Sequence, residues 1–406
     1  MNPLGAARRL WRAVMPERLR KLAGPALNTV LEAHVRSQAR KPHGAETPQG
    51  PIKIVGYFQG SHGIAASARL AARAFEALGV PVERVDVADA KLDWSGRLAE
   101  PVSASAWIFH LNPPELLAAL ACLGPKRLRG PRYGYWAWEL PRAPARWLKD
   151  AALVDEVWAP SRYTADALAG AAAPVRVVPH PLFLEDYASV APAPRRKAFQ
   201  AVSIFDFNSS LARKNPMGVI EAWGRACGGD ADCELTLKTQ NGAAFPEALA
   251  ALRSVAPGNV RIVDEVWPYG DVQSLIAGAD VLISLHRAEG FGLTPAEAMA
   301  LGTPVLATAF SGVLDFMDDD CALMVPATQV AVDDPQRIYR GASQTWADPD
   351  LAAAANALRR LRQDPALGRR LSEAARARVA AQLSPQAWFT ALPDQVKTAA
   401  MAQLRR

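Results

Sequence analysis

Short apolar runs alternate with helical stretches along most of this 406-residue chain, and this alternation constrains the fold more than any other feature. The first set begins with IKIVGYF at 52–58, followed by an alanine-rich helical stretch that runs from Ile64 to about Leu78. Further strand-like runs follow at 82–87, 106–111, 133–138, 155–160 and 175–180. Strands that alternate with helices predict a parallel sheet covered on both faces.

The pattern starts again after a proline-rich and charged interval, VAPAPRRKA at 190–198. Strand-like runs then come at 201–207, 233–239, 259–266, 281–286, 304–308 and 322–327, and helices are predicted from about Asp348 onwards. The sequence therefore predicts two open α/β domains, at 51–190 and 198–385. Residues 1–50 are assigned to an N-terminal extension and linker. Residues 386–406 are assigned to a C-terminal helix, for which crossing back to the N-terminal domain is one option.

Positive charge is concentrated in the first 42 residues. They hold nine Lys or Arg against two acidic residues, a net of +7, whereas the whole chain carries +6, so the body is about −1. The body therefore gives no electrostatic reason to expect a nucleic-acid partner. In the N-terminal segment the arginines are interleaved with Leu and Trp, which is typical of a basic amphipathic helix on an anionic membrane surface. A solvated extension is the alternative.

The chain has no run of about 20 apolar residues, and its N-terminus lacks the pattern of a secretory signal. These features predict a cytoplasmic protein that is peripheral on the inner face of the membrane if the basic segment binds lipid. Cys122, Cys227, Cys233 and Cys321 lack metal-ligand spacing and are predicted to be reduced packing residues. No metal site and no cofactor are expected.

The stretch HRAEGFGLTPAEAMALGTPVLAT at 286–308 places two glutamates eight residues apart. The pattern predicts a buried strand, a loop that carries Glu289, and a helix with Thr294 at its N-cap and Gly302 just past its end. Thr294 and Glu297 have capping-box spacing, so one interpretation of Glu297 is that it only caps its own helix. Glu289 lies beyond a strand end, where open α/β sheets bind ligands, and a solvent-exposed bystander is the alternative.

The same loop has features that suit a nucleotide sugar. Gly290 and Gly292 allow the backbone to approach a ligand closely, and the free amides of the following helix form a site for phosphate. Carboxylates accept hydrogen bonds from sugar hydroxyls. A nucleotide sugar carries both groups, because its pyrophosphate lies between two hydroxyl-bearing rings.

This segment resembles the Glu-x7-Glu motif of retaining glycosyltransferases of family four, the bacterial cell-surface polysaccharide type of group 1 enzyme. The resemblance extends over roughly residues 51–390 through GYWAWELPRAPARWLKDAALVDEVWAPSRY, VRVVPHPL and FDFNSSLARKNP. It implies the GT-B fold, with two facing Rossmann-like domains, of which the N-terminal one binds acceptor and the C-terminal one binds donor.

The resemblance also implies roles for individual residues. Glu289 would contact the donor sugar and Glu297 the ribose, and the backbone or side chains of the residues between them would contact the sugar and pyrophosphate. Those residues are Gly290, Phe291, Gly292, Leu293 and Thr294.

A cation is also needed, because the departing nucleoside diphosphate accumulates negative charge. Lys214, in SSLARKNP, matches the family's basic position, but Asn208 stands where many relatives have an arginine. Arg213 is a candidate to replace that arginine, and a solvated side chain is the equal alternative.

The N-terminal domain offers fewer candidates. QGSHG at 59–63 places Gly63 ahead of a helix and lacks the full Gly-x-Gly-x-x-Gly spacing of dinucleotide-binding proteins. His110 matches a histidine that relatives place near the donor sugar, and a histidine satisfied at a strand end is the alternative. Glu139 faces the same sheet edge if the strand order follows the family, with a structural role as the alternative. His180 is interpreted as structural.

Together these features predict a metal-independent glycosyltransferase that moves a hexose-like sugar from a nucleotide-sugar donor to a glycan or lipid-linked acceptor. A sugar-nucleotide epimerase of the same fold is one alternative, since it would release free product without an acceptor. A non-catalytic glycan-binding protein is the other.

Overall fold

The computed structural model describes residues 33, 35–38, 50–60, 62–87, 102–339 and 344–405. Most of the predicted basic helix therefore lies outside the described residues. The few described residues near it contact the body of the protein: Val35 packs into the N-terminal core, and Arg36 Nε lies 2.6 Å from Asp150 Oδ1.

The N-terminal domain contains a sheet of the strand order β2-β1-β4-β6-β7-β8, in which every neighbouring pair is parallel. The short strands β3 and β5 pair separately. The elements in chain order are β1 (Ile52–Gly56), α1 (Gly63–Ala77), β2 (Val82–Asp86), β3 (Val102–Ser103), β4 (Ala106–Phe109), α2 (Pro113–Leu123), β5 (Leu128–Arg129), β6 (Arg132–Tyr135), α3 (Ala145–Asp150), β7 (Glu156–Ala159), α4 (Arg162–Ala167), β8 (Val175–Val177) and α5 (Leu184–Ala188).

The C-terminal domain repeats this architecture with the order β11-β10-β9-β12-β13-β14, again parallel throughout. Its sheet elements and their helices are β9 (Phe199–Asp206), α6 (Leu211–Lys214), α7 (Pro216–Cys227), β10 (Cys233–Gln240), α8 (Pro246–Val255), β11 (Val260–Asp264), α9 (Tyr269–Ala277), β12 (Val281–Ser284), α10 (Leu293–Leu301), β13 (Val305–Thr308) and β14 (Leu323–Val325). The prediction of an α/β fold with two parallel sheets is therefore confirmed.

The rest of the chain adds an antiparallel arm and a group of helices. The arm pairs β15 (Ala327–Ala331) with β16 (Thr345–Pro349). It was not predicted, because its residues show no clear alternation of apolar and polar side chains. The helices are α11 (Leu351–Gln363), α12 (Pro365–Gln382), α13 (Pro385–Ala391) and α14 (Asp394–Gln403).

The last two helices pack against the N-terminal domain rather than the domain that precedes them. Trp388, Leu392 and Val396 join the core formed by α1 and the N-terminal sheet, and the rings of Trp388 and Phe75 lie 4.9 Å apart. The chain thus crosses between the two domains twice. Within the described residues, no helix is both long and apolar enough to cross a membrane.

Candidate functional site

Glu289 lies in the loop between β12 and α10, and the backbone around it is held on both sides. Its amide donates to Ser311 Oγ at 2.8 Å, and its carbonyl accepts from the Gly312 amide at 3.0 Å. Gly292 then turns the chain into α10 with a φ of 97°, a left-handed conformation that favours glycine. A Cβ at that position would lie 2.5 Å from Val313 Cγ1. Backbone shape and packing therefore both require glycine there.

Two cations meet the carboxylate of Glu289. Lys214 Nζ lies 2.5 Å from Oε1 and Arg213 Nη1 lies 3.1 Å from the same oxygen. Arg213 also donates to the Ala288 carbonyl at 2.8 Å, and its side chain is only 6% exposed. The solvated alternative for Arg213 is therefore wrong. Asn208, by contrast, is exposed.

The charged side chains of this cluster shift one another's pKa values. Burial alone would raise the pKa of Glu289, but Lys214 and Arg213 lower that pKa to about 2. Burial lowers the pKa of Lys214, and Glu289 partly offsets this effect. With one anion and two cations, the cluster carries a net charge of about +1 at neutral pH, which suits an anionic ligand.

Glu297 lies in α10, and the predicted capping box is wrong. The helix begins at Leu293, and Gly292 rather than Thr294 stands at its N-cap. The side chain of Glu297 instead accepts a hydrogen bond from the Tyr269 hydroxyl at 2.5 Å. Burial raises the pKa of Glu297 to about 7, although the Tyr269 hydrogen bond opposes this shift. Because glycine offers no capping side chain, the first amides of α10 stay available to a ligand.

The residues between the two glutamates differ in how they are exposed to a ligand. The Phe291 side chain is buried against Phe316 and lies edge-on to His180 with the ring centroids 4.8 Å apart, so only its backbone is free to meet a ligand. Leu293 and Thr294 are half-buried at the start of α10. The remaining member, Gly290, contacts the N-terminal domain through its carbonyl.

His110 follows β4 and is buried inside the N-terminal domain. Its Nδ1 lies 2.7 Å from Ser67 Oγ, and its ring stacks on Tyr135 at 4.6 Å. Burial, followed by the neighbouring His180, lowers the pKa of His110 to about 3. Its Nε2 is buried without a hydrogen-bond partner among the described residues. The ring is therefore neutral at physiological pH, with one nitrogen left for a ligand.

Gly63 begins α1, and His62 precedes it at the N-cap, where Nδ1 accepts from the Ala65 amide at 3.3 Å. A Cβ at Gly63 would meet nothing within 4 Å, so packing does not explain the glycine. Gly63 is exposed and lies on the N-terminal domain. No described contact joins it to the cluster around Glu289.

Three residues at the site were missed by sequence reasoning. Tyr339, from the segment between β15 and β16, donates to Glu139 Oε2 at 3.2 Å and thereby joins the two domains. Ser311 binds the Glu289 amide, and Ser161 binds the Gly290 carbonyl. Only Ser161 had a signal in the sequence, since a serine before a helical stretch is typical of an N-cap. Within the described residues, no group of three or more His, Cys, Asp or Glu side chains could hold a metal ion.

Two parallel sheets, with charged loops at the carboxyl ends of the second one, define a GT-B fold. Residues 205–348, less than half of the chain, match the family described as "Glycosyl transferases group 1". An 86-residue stretch is 42% identical to the "Lipopolysaccharide core biosynthesis mannosyltransferase LpsB" of Rhizobium meliloti (strain 1021). It covers 20% of this chain and 23% of that relative, so most of LpsB lies outside the match.

Solved structures support the same fold. The structure of Anabaena HepE in complex with UDP and glucose is 13% identical, with a TM-score of 0.59, and the match covers 86% of this chain and 100% of that one. S. aureus TarM, in complex with Fondaparinux, alpha-GlcNAc-glycerol and UDP, is 11% identical with a TM-score of 0.52, and the match covers 73% of this chain and 55% of TarM. At these identities the likeness shows the fold alone.

Proposed function

We propose that this protein is a retaining glycosyltransferase that moves a hexose-like sugar from a nucleotide-sugar donor to a glycan or lipid-linked acceptor in surface polysaccharide synthesis. The observation that carries the proposal is the cluster of Glu289, Arg213 and Lys214 beside the uncapped N-terminus of α10. The match of residues 205–348 to group 1 glycosyltransferases supports it. The similarity to LpsB, a mannosyltransferase of lipopolysaccharide core synthesis, supports two further parts of the proposal, namely transfer of a hexose and a role in surface polysaccharide synthesis.

The chemistry follows from charge. When the bond between sugar and diphosphate breaks, negative charge grows on the departing phosphate, and preorganised donors stabilise it. Lys214 and the first amides of α10 are suited to that task. Both cations contact Oε1 of Glu289, so Oε2 is the oxygen available to a sugar hydroxyl. Glu297 would accept the ribose hydroxyls and Tyr269 would orient its carboxylate.

The test begins with a thermal-shift screen of UDP-, GDP-, ADP- and TDP-sugars, because a ligand that binds only the folded state raises apparent stability. Donors that bind are then incubated with candidate acceptors, and the anomeric configuration of the product is read by NMR. We expect a new glycosidic bond with the donor's configuration retained. Epimerised free sugar nucleotide would indicate an epimerase. Binding of glycans without any binding of nucleotide sugars would indicate a non-catalytic protein.

We further propose that the basic segment of residues 1–42 brings the enzyme to the inner face of the membrane, where lipid-linked acceptors lie. Each basic residue near an anionic surface contributes roughly 1 kcal/mol. Removing residues 1–32 spares the Arg36–Asp150 pair and should abolish co-sedimentation with anionic liposomes, while turnover of a soluble acceptor stays intact. Replacing Arg8, Arg9 and Arg12 with Gln separates charge from length, because this variant keeps the whole segment and removes only positive charge. If the full-length protein does not co-sediment with such liposomes at low salt, the proposal is contradicted.

A further inference from the structure

A hydrogen bond between the two domains ends on the backbone next to Glu289. The Ser161 hydroxyl, from the N-terminal domain, donates to the Gly290 carbonyl at 2.6 Å. Thr164 Oγ1 lies 3.2 Å from the same carbonyl oxygen, but it lies nearer to the Trp138 carbonyl, at 2.9 Å. A hydroxyl has one proton to donate, so Ser161 is the main donor to Gly290. Ser161 and Thr164 are both fully buried.

The surroundings make this contact close and specific. A Cβ at Gly290 would lie 3.2 Å from the Trp138 carbonyl oxygen, and a Cβ at Gly312 would lie 2.4 Å from the Gly290 carbonyl oxygen. The Arg162 amide donates to Asp315 Oδ2 at 2.7 Å, which fixes the start of α4 against the 3₁₀ helix Ser311–Asp315. The first turn of α4 is therefore docked on the Glu289 loop by polar contacts.

The Glu289 backbone is thus held from both domains. Ser311 and Gly312 bind its amide and carbonyl from within the C-terminal domain, and Ser161 binds the next carbonyl from the N-terminal domain. A buried carbonyl that loses its donor carries a desolvation cost, so the loop would shift to find another partner. Small displacements of a group that contacts the reacting sugar slow the chemical step.

We propose that Ser161 is a positioning residue, whose hydroxyl holds the Gly290 carbonyl and thereby sets the position of Glu289 when the two domains are in contact. This inference rests on the proposed function, because it assigns Glu289 to the donor sugar. Lys214, Glu297 and the amides of α10 all belong to the C-terminal domain. Ser161 therefore acts on turnover and leaves the affinity for the nucleoside diphosphate unchanged.

The variants separate this role from helix capping. Ser161 Oγ also accepts from the Thr164 amide at 3.1 Å as the N-cap of α4, so Ser161→Ala removes both bonds. Ser161→Thr keeps the hydroxyl. Ser384→Ala is the matched control, because Ser384 is the N-cap of α13, accepting from Ala387, and lies away from the Glu289 loop. Turnover is measured with the donor that the thermal-shift screen selects, and binding with the matching nucleoside diphosphate.

We expect Ser161→Ala to lower kcat about tenfold and to change the Kd of the nucleoside diphosphate less than about twofold, with Ser161→Thr and Ser384→Ala close to the wild type. Hydrogen exchange of the free proteins should quicken at residues 285–292 in Ser161→Ala alone. The proposal is overturned if Ser161→Ala keeps the wild-type kcat and the wild-type rate of hydrogen exchange. It is also overturned if Ser384→Ala loses as much kcat as Ser161→Ala. If the wild-type protein transfers no sugar, the proposed function fails, whereas faster exchange at 285–292 would still support the positioning contact.

Discussion

The two halves of the candidate site differ in electrical character. The C-terminal domain contributes a cluster of charged side chains, in which Glu289 stays ionised because Lys214 and Arg213 contact it. The N-terminal domain contributes His110 and His180, both buried beside Tyr135, with pKa values lowered to about 3 and 4 by burial. One half therefore suits an anion, and the other suits a neutral group such as a sugar ring.

The two glutamates of the C-terminal half show the same contrast on a smaller scale. Both are desolvated, which raises a carboxyl pKa, but only Glu289 has cations close enough to reverse the effect. Glu297 has a phenol as its partner instead. Residues from one sequence motif thus acquire opposite protonation behaviour from their neighbours, which no spacing rule predicts.

Removing a cation from the charged half should have the largest effect. Lys214→Met leaves the cluster neutral, so we expect kcat/KM to fall by about 10²- to 10³-fold, as when one donor to a developing oxyanion is lost. Lys214→Arg should lose less, because the charge remains. Lys397→Met, which breaks a pair with Asp394 on α14, is the control and should keep wild-type kinetics. A loss below about threefold in Lys214→Met would show that the two halves do not differ in the way described.

A smaller effect is expected at Glu297, where binding and stability should change in opposite directions. At pH 8, where Glu297 is mostly ionised, Glu297→Gln removes a charged acceptor. The binding free energy of the nucleoside diphosphate should then weaken by about 1.5–3 kcal/mol, measured by calorimetry as a higher Kd. The raised pKa means that the folded protein loses stability as pH rises from about 4.5 to about 7. Gln avoids this cost, so at pH 8 the free energy of unfolding in urea should be higher for the variant than for the wild type by roughly 1–3 kcal/mol. This difference in stability should disappear near pH 4.

Glu247→Gln is the control for that experiment, since Glu247 is an exposed first-turn glutamate of α8. It should leave the Kd unchanged and show no such pH-dependent gap. An unchanged Kd together with a lower melting temperature in Glu297→Gln would mean that Glu297 has a structural role only.

The same contrast explains what the sequence could predict. The parallel sheets were predicted because apolar runs and glycine stops alternate locally. The strand ends were predicted less well: the strand expected at 133–138 spans Arg132–Tyr135 in the structure. Residues of the charged half follow one another along short segments, so the motif locates them. The Ser161–Gly290 and Tyr339–Glu139 contacts join residues 129 and 200 positions apart, and no local pattern encodes such pairs. The burial that keeps His110 neutral likewise depends on the whole domain.

The neutral half can be tested through pH. Because the pKa values of His110 and His180 lie below the ordinary 6.5, the folded protein keeps both rings neutral, and the stability they contribute is present above pH 6.5 and lost as pH falls toward 4. We expect the free energy of unfolding in urea to fall by on the order of 1 kcal/mol per pH unit per histidine in that range. His110→Phe should reduce this slope. It should also lower kcat about tenfold without changing the shape of the kcat profile between pH 6 and 8. A step near pH 6.5 that the variant removes would show that His110 titrates, and the two halves would then be less distinct.

The smallest expected effect is that of metal removal. If Lys214 and the first amides of α10 offset the charge of the departing diphosphate, a divalent cation is not needed for the step, and EDTA should leave kcat/KM unchanged within error. The sharper form of the experiment uses Lys214→Met. Manganese should fail to rescue this variant, because Glu289 is the single carboxylate of the cluster and stays paired with Arg213, and a divalent cation needs more oxygen ligands than its Oε2 alone. If EDTA abolishes the activity of the wild type and manganese restores it, Lys214 is not the group that offsets the phosphate charge. The charged half of the site would then need a metal ion to act on its substrate.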